Sequence, residues 1–301
     1  MLQTLQNEHW QVGVLPETGS SLAFGRANKG DQWIDVLRPT AEQDYGNASL
    51  CSSFIMLPWA NRLRAAKFRF AGMEYQLQPS SNDGTAIHGT VRRLAWQLEI
   101  SEPTHLITRF NSASFPPDKI NFPFKFSARA EYRLSGADFS ITVALTNEDS
   151  QPFPAGFGHH PYFVRDAANK VEVQVNCEQR FELVNALATA PAAPIPPEKD
   201  FRQLRPLSTA IYEDLFTERT GETAARIVYP VSGIGLIIHA DALFGSVLLF
   251  APEGKPFFAV EPQSNANDGF NLLDRGIAGN GVFILAPGEA KSGTVTFRLE
   301  Y

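Results

Sequence analysis

The chain has 301 residues, of which 44% are hydrophobic and 19% charged, so it can bury the core of one large domain or of two ordinary ones. Its net charge of −6 argues against a nucleic-acid partner, because such binding depends on Lys and Arg neutralising phosphates. The longest apolar run, residues 234–238, is too short to span a bilayer, and residues 1–10 lack the apolar stretch of a signal peptide. We therefore expect a soluble cytoplasmic protein with no membrane partner.

Strands are predicted throughout the chain by alternation of apolar and polar residues. Residues 67–70, followed by Ala71-Gly72 and residues 73–75, have the pattern of a hairpin. Residues 124–134 and 139–146 alternate in the same way on either side of a turn signal, which predicts a second antiparallel hairpin with one buried face.

The second half of the chain alternates at residues 171–175 and 295–301. A short helix is predicted from Ile211 to Phe216, with Ser208 as a possible cap. The segment 189–197 contains four prolines and could be a linker. Because strand-like segments and candidate site residues lie on both sides of it, we favour a long surface loop within one domain spanning residues 1–301.

The two cysteines, Cys51 and Cys177, cannot form a disulfide framework for a chain of this size, and no Cys-x-x-Cys spacing is present. Free buried thiols are therefore expected. The many short strands and the near absence of helical periodicity favour an all-β fold of stacked sheets.

A candidate general base is Glu261, which follows the apolar run 257–260 and precedes Pro262. A carboxylate at the end of a hydrophobic strand is partly desolvated, and desolvation raises its pKa toward neutrality. Pro262 is expected to end strand pairing there. The alternative is a strand-end glutamate that lies in water or pairs with an arginine.

Histidines are the candidate acids, because imidazole titrates near neutral pH. Alternation places His159 and His160 on opposite faces of an extended segment, so that one faces a cleft while the other packs or hydrogen-bonds. His88 precedes Gly89, which permits an unusual backbone angle or a close ligand approach. Core histidines bonded to backbone carbonyls are the alternative.

Donors and acceptors for sugar hydroxyls are offered by Asn61, Arg62 and Asp214, and the face of Trp59 suits the apolar side of a pyranose. Three of these residues also have a simple structural explanation. Arg62 could form a surface ion pair, Asp214 could be a helix-surface carboxylate, and Trp59 could pack in the core. A metal site is not expected, since the histidines lack the spacing of common metal ligands. No Gly-x-Ser-x-Gly motif is present. A glycosidase using Asp214 and Glu261 as its two carboxylates stays open.

Several short motifs resemble those of the aldose 1-epimerase (galactose mutarotase) family, from about residue 10 to the C-terminus. The motifs are Asn61-Arg62-Leu63, Gly72-Met73-Glu74-Tyr75, Ile87-His88-Gly89, His160-Pro161-Tyr162-Phe163, Asp214-Leu215-Phe216, Glu261-Pro262-Gln263-Ser264 and Asp268-Gly269-Phe270-Asn271. Each motif is weak alone, but the set and its order are specific.

The resemblance implies an antiparallel β-supersandwich and interconversion of the α and β anomers of free aldoses, without a cofactor or metal. It implies that Glu261 is the base that deprotonates the C1 hydroxyl and that His160 is the acid that protonates the ring oxygen. It further implies that His88 bonds near the ring oxygen, while the three candidate hydroxyl binders hold the sugar. Such ring opening needs one proton removed and one delivered, and we expect the acid and base on opposite sides of the sugar.

The chain departs from the family at three positions. His159 stands where Asn is common, Pro161 where Thr is common and Thr90 where Gly or Phe is common. Residues 88–92 are also similar to the hexose-6-phosphate branch, where arginines hold a phosphate, and Arg62, Arg92 or Arg93 could do so here.

The sequence therefore indicates three possible functions. The first is an aldose 1-epimerase acting on a free hexose, the second a hexose-6-phosphate 1-epimerase, and the third a carbohydrate-binding protein without turnover. A small sugar is the only partner predicted, and the sequence leaves the oligomeric state open.

Overall fold

A computed structural model describes residues 1–30, 32–165, 170–208 and 210–301 of the chain. Its regular elements are almost entirely antiparallel strands. The strands, in chain order, are β1 (Gln3–Gln6), β2 (Trp10–Leu15), β3 (Ser21–Lys29), β4 (Gln32–Asp35), β5 (Ile55–Met56), β6 (Arg62–Leu63), β7 (Lys67–Phe70), β8 (Met73–Gln76), β9 (Ala86–Ile87), β10 (Gln97–Glu102), β11 (His105–Asn111), β12 (Phe126–Ser135), β13 (Asp138–Asn147), β14 (Phe153–Ala155), β15 (Gly158–His159), β16 (Tyr162–Val164), β17 (Glu172–Val175), β18 (Cys177–Phe181), β19 (Leu183–Val184), β20 (Leu187–Ala188), β21 (Ala193–Pro194), β22 (Arg205–Pro206), β23 (Tyr212–Arg219), β24 (Thr223–Tyr229), β25 (Ile234–Ala240), β26 (Ser246–Ala251), β27 (Phe257–Gln263), β28 (Phe283–Leu285) and β29 (Ala290–Glu300).

Helical structure is limited to short pieces. One α-helix, α1 (Gly269–Asp274), lies within the described ranges. The remaining helical segments there are three-residue 3₁₀ turns, at Glu42–Asp44, Ala48–Leu50, Arg64–Ala66, Val91–Arg93, Ser112–Ser114, Pro117–Lys119 and Pro197–Lys199. None of the helices in the described part of the chain is long and apolar enough to cross a membrane.

Two large sheets contain most of the strands. The nine-stranded sheet runs in the order β10-β11-β12-β13-β29-β25-β24-β17-β22. The eight-stranded sheet runs β21-β18-β23-β26-β27-β15-β5, and β16 also pairs with β27. A four-stranded sheet, β1-β2-β3-β4, and four two-stranded pairs complete the fold. The predicted all-β architecture of stacked sheets is confirmed.

The main core lies between the two large sheets, because the inward face of each is apolar at every second residue. Phe163 of β16 and Phe297 of β29 meet across it, with ring centroids 6.2 Å apart. The opposite face of the eight-stranded sheet has its own smaller apolar cluster, in which Leu215 and Leu248 pack with Leu272 of α1. This opposite face, which we call the outer face, carries the site described below.

Both predicted hairpins are confirmed, as β7 with β8 and as β12 with β13. The alternation near residues 171–175 and 295–301 corresponds to β17 and β29, and both cysteines are buried and free. The predicted helix at residues 211–216 is wrong. That segment forms β23, because Tyr212, Asp214 and Phe216 are all buried on one face, which is the period of a strand.

The proline-rich segment 189–197 contains β21, which pairs with β18 at the edge of the eight-stranded sheet. An edge position tolerates Pro194, since a proline cannot donate a ladder hydrogen bond. The segment therefore contributes a strand to the sheet that carries Glu261.

Candidate active site

Strand register brings His160 beside Glu261. Strands β15 and β16 flank the residues His160-Pro161, and both pair with β27 in one continuous register. That register is fixed by the Cα partners Gly158–Gln263 and Tyr162–Ala259. It places residue 160 opposite residue 261, and residues directly opposite in a sheet project to the same face. Both side chains therefore lie on the outer face.

The imidazole and the carboxyl group are in contact. His160 Nε2 lies 3.1 Å from Glu261 Oε1, and the two residues are 5% and 0% exposed. The contact is close but misaligned for a hydrogen bond, so both carboxyl oxygens of Glu261 lack a hydrogen-bond partner among the described residues. Buried polar atoms without partners are rare, and such atoms in a native structure indicate a missing ligand or water, or a catalytic role.

This spacing corrects the expectation that acid and base stand on opposite sides of the sugar. A separation of 3.1 Å leaves no room for a pyranose between His160 and Glu261. A substrate must instead approach both groups from one side, with its two reacting oxygens next to each other.

Glu261 lies inside strand β27 rather than at its end. Pro262 was expected to end the pairing, but β27 continues to Gln263 and Pro262 stands opposite Val247 of β26. The carboxyl group is consequently surrounded by sheet on both sides and fully desolvated. Burial raises the pKa of Glu261 well above its ordinary value, and the nearby negative charge of Glu213 raises it further, while Arg62 lowers it.

Burial has the opposite effect on the histidines, because it penalises the charged imidazolium. It lowers the pKa of His160 to about 3, and the pKa of His88 falls well below its ordinary value for the same reason. The positive charge of Arg92 contributes to both shifts. Burial therefore favours the uncharged forms of the carboxyl group and of both imidazoles.

Aromatic rings form the wall around His160. The Phe54 ring lies 4.6 Å and the Tyr162 ring 4.4 Å from the His160 ring, measured between centroids. His88 meets His160 edge-on at 5.2 Å, and its Nδ1 has no hydrogen-bond partner among the described residues. The structure therefore brings His88, His160 and Glu261, the three residues predicted to be catalytic, into one cluster.

A strained turn holds His88 in this cluster. His88 and Gly89 have φ of +58° and +66°, which is unfavourable for a histidine. A Cβ on Gly89 would lie only 1.6 Å from the carbonyl oxygen of Leu57, so glycine is required there. The His88 N–H donates to the carbonyl of Asn61 at 2.9 Å, which ties the turn to the next site segment. The special geometry expected beside Gly89 is confirmed.

Arg62 reaches the cluster from strand β6, which pairs with β9 just before His88. Its guanidinium binds Asp83 at 2.9 Å and Glu213 at 3.5 Å, and its side chain is 21% exposed. Asn61, at φ +56°, accepts a hydrogen bond from the Arg62 N–H through its side-chain oxygen at 2.9 Å. Asn61 therefore orients Arg62, and contact of either residue with a sugar remains a prediction.

Asp214, predicted to bind substrate, faces away from the cluster. Its Cα partner on β26 is Leu249, which in turn stands opposite Val260, so Asp214 projects to the inward face and Glu261 to the outer face. There Asp214 pairs with Lys199 at 2.9 Å and Arg180 at 3.6 Å. The assignment of Asp214 is corrected on this ground.

The neighbouring residue, Glu213, faces the cluster instead. It lies on the outer face of β23, in the same cross-strand row as Tyr162, and its carboxylate is the one that binds Arg62. The sequence contained one signal for it. Of two adjacent carboxylates in a strand, only one can face a given side of the sheet. This alternation was not applied to residues 213 and 214, because a helix was predicted there.

Two other sequence expectations are resolved by packing. His159 lies on the opposite side from His160, as alternation predicted, and its ring is 6.0 Å from that of Phe244 in the core. Trp59 is fully buried against Phe122 and Phe270, so its face is not free to stack on a sugar. No group of three His, Cys, Asp or Glu side chains that could hold a metal ion occurs in the described ranges.

Comparison with known proteins identifies the family of the chain. A sequence profile described as Aldose 1-epimerase matches residues 1–298. The chain therefore belongs to the aldose 1-epimerase family. It is 26% identical over 280 residues to the protein YphB of Escherichia coli K12, covering 89% of this chain and 91% of YphB.

Solved structures of the family share the fold. The GalM/aldose epimerase homologue from C. elegans superposes with a TM-score of 0.86 at 16% identity, covering 100% of this chain and 99% of that one. A galactose mutarotase-like protein from Clostridium acetobutylicum gives 0.84 at 17% identity, covering 99% and 94%. The β-supersandwich implied by the sequence motifs is thus confirmed.

Proposed function

We propose that the protein interconverts the α and β anomers of a free hexose by acid–base opening of the ring. The observation that carries the proposal is the contact between His160 Nε2 and Glu261 Oε1 at 3.1 Å, with both carboxyl oxygens lacking partners among the described residues. A hexose in its ring form supplies what these groups lack. Its C1 hydroxyl donates a hydrogen bond and its ring oxygen accepts one.

Adjacent groups suit this reaction because the C1 hydroxyl oxygen and the ring oxygen are bonded to the same carbon. We place the hydroxyl at Glu261 and the ring oxygen at His160 Nε2. Glu261 removes the hydroxyl proton while the imidazolium of His160 protonates the ring oxygen, so that the bond between C1 and the ring oxygen breaks and a carbonyl forms at C1. Rotation about the C1–C2 bond and reversal of both transfers give the other anomer.

The charged form of the pair arises when substrate binds. Burial favours a protonated carboxyl group and a neutral imidazole, which together contain the same number of protons as a carboxylate and an imidazolium. Sugar hydroxyls would solvate the carboxylate and the imidazolium in place of water. One proton then passes over 3.1 Å from Glu261 to His160, and the pair is ready to react.

Substrate orientation falls to groups around the pair. We assign to His88 a hydrogen bond donated near the ring oxygen, and to Arg62 with Glu213 the binding of the hydroxyls on the Glu261 side. Glu213 has a side-chain exposure of 38% and Arg62 of 21%, whereas Glu261 is fully covered. We infer that the Arg62–Glu213 ion pair shifts when the sugar enters.

The test is the rate at which fresh α-glucose and α-galactose approach anomeric equilibrium, followed by polarimetry or NMR and corrected for the spontaneous reaction. We expect the wild-type protein to accelerate equilibration, and Glu261→Gln and His160→Gln each to reduce kcat by about 10²–10⁴-fold. Equal rates for the wild type and Glu261→Gln would refute the assignment of the base.

The carbohydrate-binding alternative predicts a different result. A binder needs hydroxyl contacts but no acid–base pair, so it would retain sugar affinity and show no acceleration with any aldose. The hexose-6-phosphate alternative is favoured by one observation: Arg92 is buried, donates a hydrogen bond to Ser49 Oγ at 2.7 Å, and forms no ion pair with a described carboxylate. Action in the cytoplasm remains a prediction of the sequence.

A further inference from the structure

The guanidinium of Arg62 is held firmly at one end only, by Asp83. Its Nε donates a hydrogen bond to Asp83 Oδ2 at 2.9 Å, whereas Nη1 makes longer contacts, with Asn61 Oδ1 at 3.4 Å and with Glu213 Oε1 at 3.5 Å. Nη2 has no hydrogen-bond partner among the described residues. The outer end of the guanidinium therefore retains donors that a ligand can use while Nε stays in place.

Asp83 is itself fixed by the turn of residues 80–85, which leads into β9. Its Oδ1 accepts hydrogen bonds from the Thr85 N–H at 3.0 Å and from the Thr85 hydroxyl at 2.6 Å. Thr85 is buried, and its carbonyl accepts from the Ser80 N–H at 2.9 Å, which closes the turn. Partial burial raises the pKa of Asp83, but the hydrogen bonds from Thr85 and Arg62 outweigh this and hold the pKa below its ordinary value. The turn thus presents an ionised oxygen to Arg62 in one direction.

The segment that carries Asp83 also leads to the catalytic cluster. The turn continues into β9, which pairs with β6, the strand of Arg62, and His88 follows directly. Besides the larger effects of burial, the positive charge of Arg62 lowers the pKa of each of His88, His160 and Glu261. The guanidinium is therefore close enough to the cluster for its exact placement to affect a sugar bound there.

Two described carboxylates compete for Arg62, and they hold it unequally. The contact with Asp83 is 2.9 Å long and the contact with Glu213 is 3.5 Å long. In the proposed reaction the Arg62–Glu213 contact opens when the sugar enters. Arg62 can release Glu213 without becoming mobile, because the shorter contact with Asp83 remains. Without Asp83, Glu213 would be the one described carboxylate left to hold the guanidinium, and the sugar would have to displace it.

We propose that Asp83 is a positioning residue for sugar binding. It holds Arg62 through Nε, so that Nη1 and Nη2 are oriented towards the hydroxyls of the hexose and can leave Glu213 when the sugar enters. The proposal rests on the anomerase function proposed above. A long side chain that is mobile before binding loses rotamer freedom when the sugar binds, so we expect Asp83 to act on KM rather than on kcat.

The experiment measures kcat and KM for the equilibration of fresh α-glucose and α-galactose by the wild type, Asp83→Asn, Arg62→Gln and the double variant. Asparagine keeps an oxygen that accepts from Thr85, which preserves the turn, but it loses the charge that holds Arg62. We expect Asp83→Asn to raise KM by about threefold to tenfold and to change kcat by less than about twofold. In the Arg62→Gln background it should have no further effect, because the residue through which Asp83 acts is then absent.

Asp138→Asn is the matched control. Asp138 Oδ1 accepts from Arg298 Nε at 2.7 Å, which is the same kind of contact as that between Asp83 and Arg62. The pair joins β13 and β29 in the nine-stranded sheet, so it does not belong to the outer face that carries the cluster. We expect this variant to keep the wild-type KM.

Three kinetic outcomes overturn the proposal. A rise in KM that persists undiminished in the Arg62→Gln background would show that Asp83 acts by another route. An equal rise in Asp138→Asn would show that the loss of any surface carboxylate has this effect. A loss of kcat at unchanged KM would place Asp83 in the chemical step instead of in binding.

A ¹⁵N NMR measurement tests the contact in the wild type, and it holds even if Asp83→Asn fails to fold. The Nε–H signal of Arg62, identified by its disappearance in Arg62→Gln, should exchange with water more slowly than that of free arginine, both with and without sugar. Exchange as fast as in free arginine overturns the proposal.

The same measurements separate this proposal from the function on which it rests. Acceleration by the wild type together with an unchanged KM in Asp83→Asn removes the positioning role and leaves the anomerase intact. No acceleration by the wild type removes the anomerase itself, whatever the variants show.

Discussion

Replacing Glu261 with glutamine is expected to stabilise the protein while it removes activity. The carboxyl group is fully buried, and burial raises its pKa well above the ordinary value of 4.5. An acid with a raised pKa binds more protons in the folded state than in the unfolded state, so its contribution to stability is lost as the pH rises above 4.5. Glutamine has nearly the same shape and does not titrate.

The size of the effect follows from proton linkage. Between pH 4.5 and the raised pKa, each pH unit lowers the stability of the wild type by about 1.4 kcal/mol relative to the glutamine variant. The advantage of the variant therefore grows with pH and amounts to about 3.5 kcal/mol at most by neutral pH. Most substitutions of buried residues destabilise by about 0.5–3 kcal/mol, so the sign of this change is diagnostic.

Urea denaturation followed by tryptophan fluorescence would measure the free energy of unfolding of both proteins at several pH values between about 5 and 8. Glu213→Gln is the control, since that carboxylate is partly exposed and its pair with Arg62 is worth about 1 kcal/mol at most. A Glu261→Gln variant that is less stable than the wild type at neutral pH, or a difference that does not change with pH, would refute the reasoning.

Three further predictions follow from the geometry. Arg62→Gln should move the alkaline limb of the kcat/KM profile to higher pH and Glu213→Gln to lower pH, because the pair needs the proton that Glu261 holds, and Arg62 lowers while Glu213 raises the pKa of Glu261; shifts in the same direction would contradict this. His159→Gln should reduce the loss of unfolding free energy in acid by about 1.4 kcal/mol per pH unit between pH 6.5 and 3, as measured by urea titration. Burial lowers the pKa of His159 to about 3, so the unfolded state binds a proton in this range that the folded state does not bind. Gly89→Ala should destabilise by about 2–4 kcal/mol, since its Cβ would meet a backbone oxygen at 1.6 Å with φ at +66°; a wild-type denaturation midpoint would show that the turn relaxes.

The alternation of apolar and polar residues was sufficient to predict much of the fold. Alternation at residues 124–146 predicted the hairpin of β12 and β13, because each strand buries one face and exposes the other. The same rule separated His159 from His160. It could not distinguish β23 from a helix, because its residues 212–217 are nearly all buried and the polar residue Asp214 lies on the buried face.

The site depends on the pairing of strands that are distant in sequence, and the residue pattern of a single strand does not reveal that pairing. His160 and Glu261 lie on strands distant in sequence, and they meet because β15 and β16 share one register on β27. A shift of one residue in that register would turn the imidazole to the other face. The exchange of Asp214 for Glu213 has the same origin, since alternation shows which residues share a face but not which face holds the site.

Burial favours the uncharged forms of His160 and Glu261, and this bears on the proposed catalysis. A permanent carboxylate and imidazolium at this depth would cost several kcal/mol each in desolvation, and the fold would have to supply that energy without substrate. A neutral pair avoids this cost, and in the proposed reaction the charges form only when sugar hydroxyls are present to solvate them. Because the pair contains one proton before and after ring opening, the same two residues would serve opening and closure, as microscopic reversibility requires.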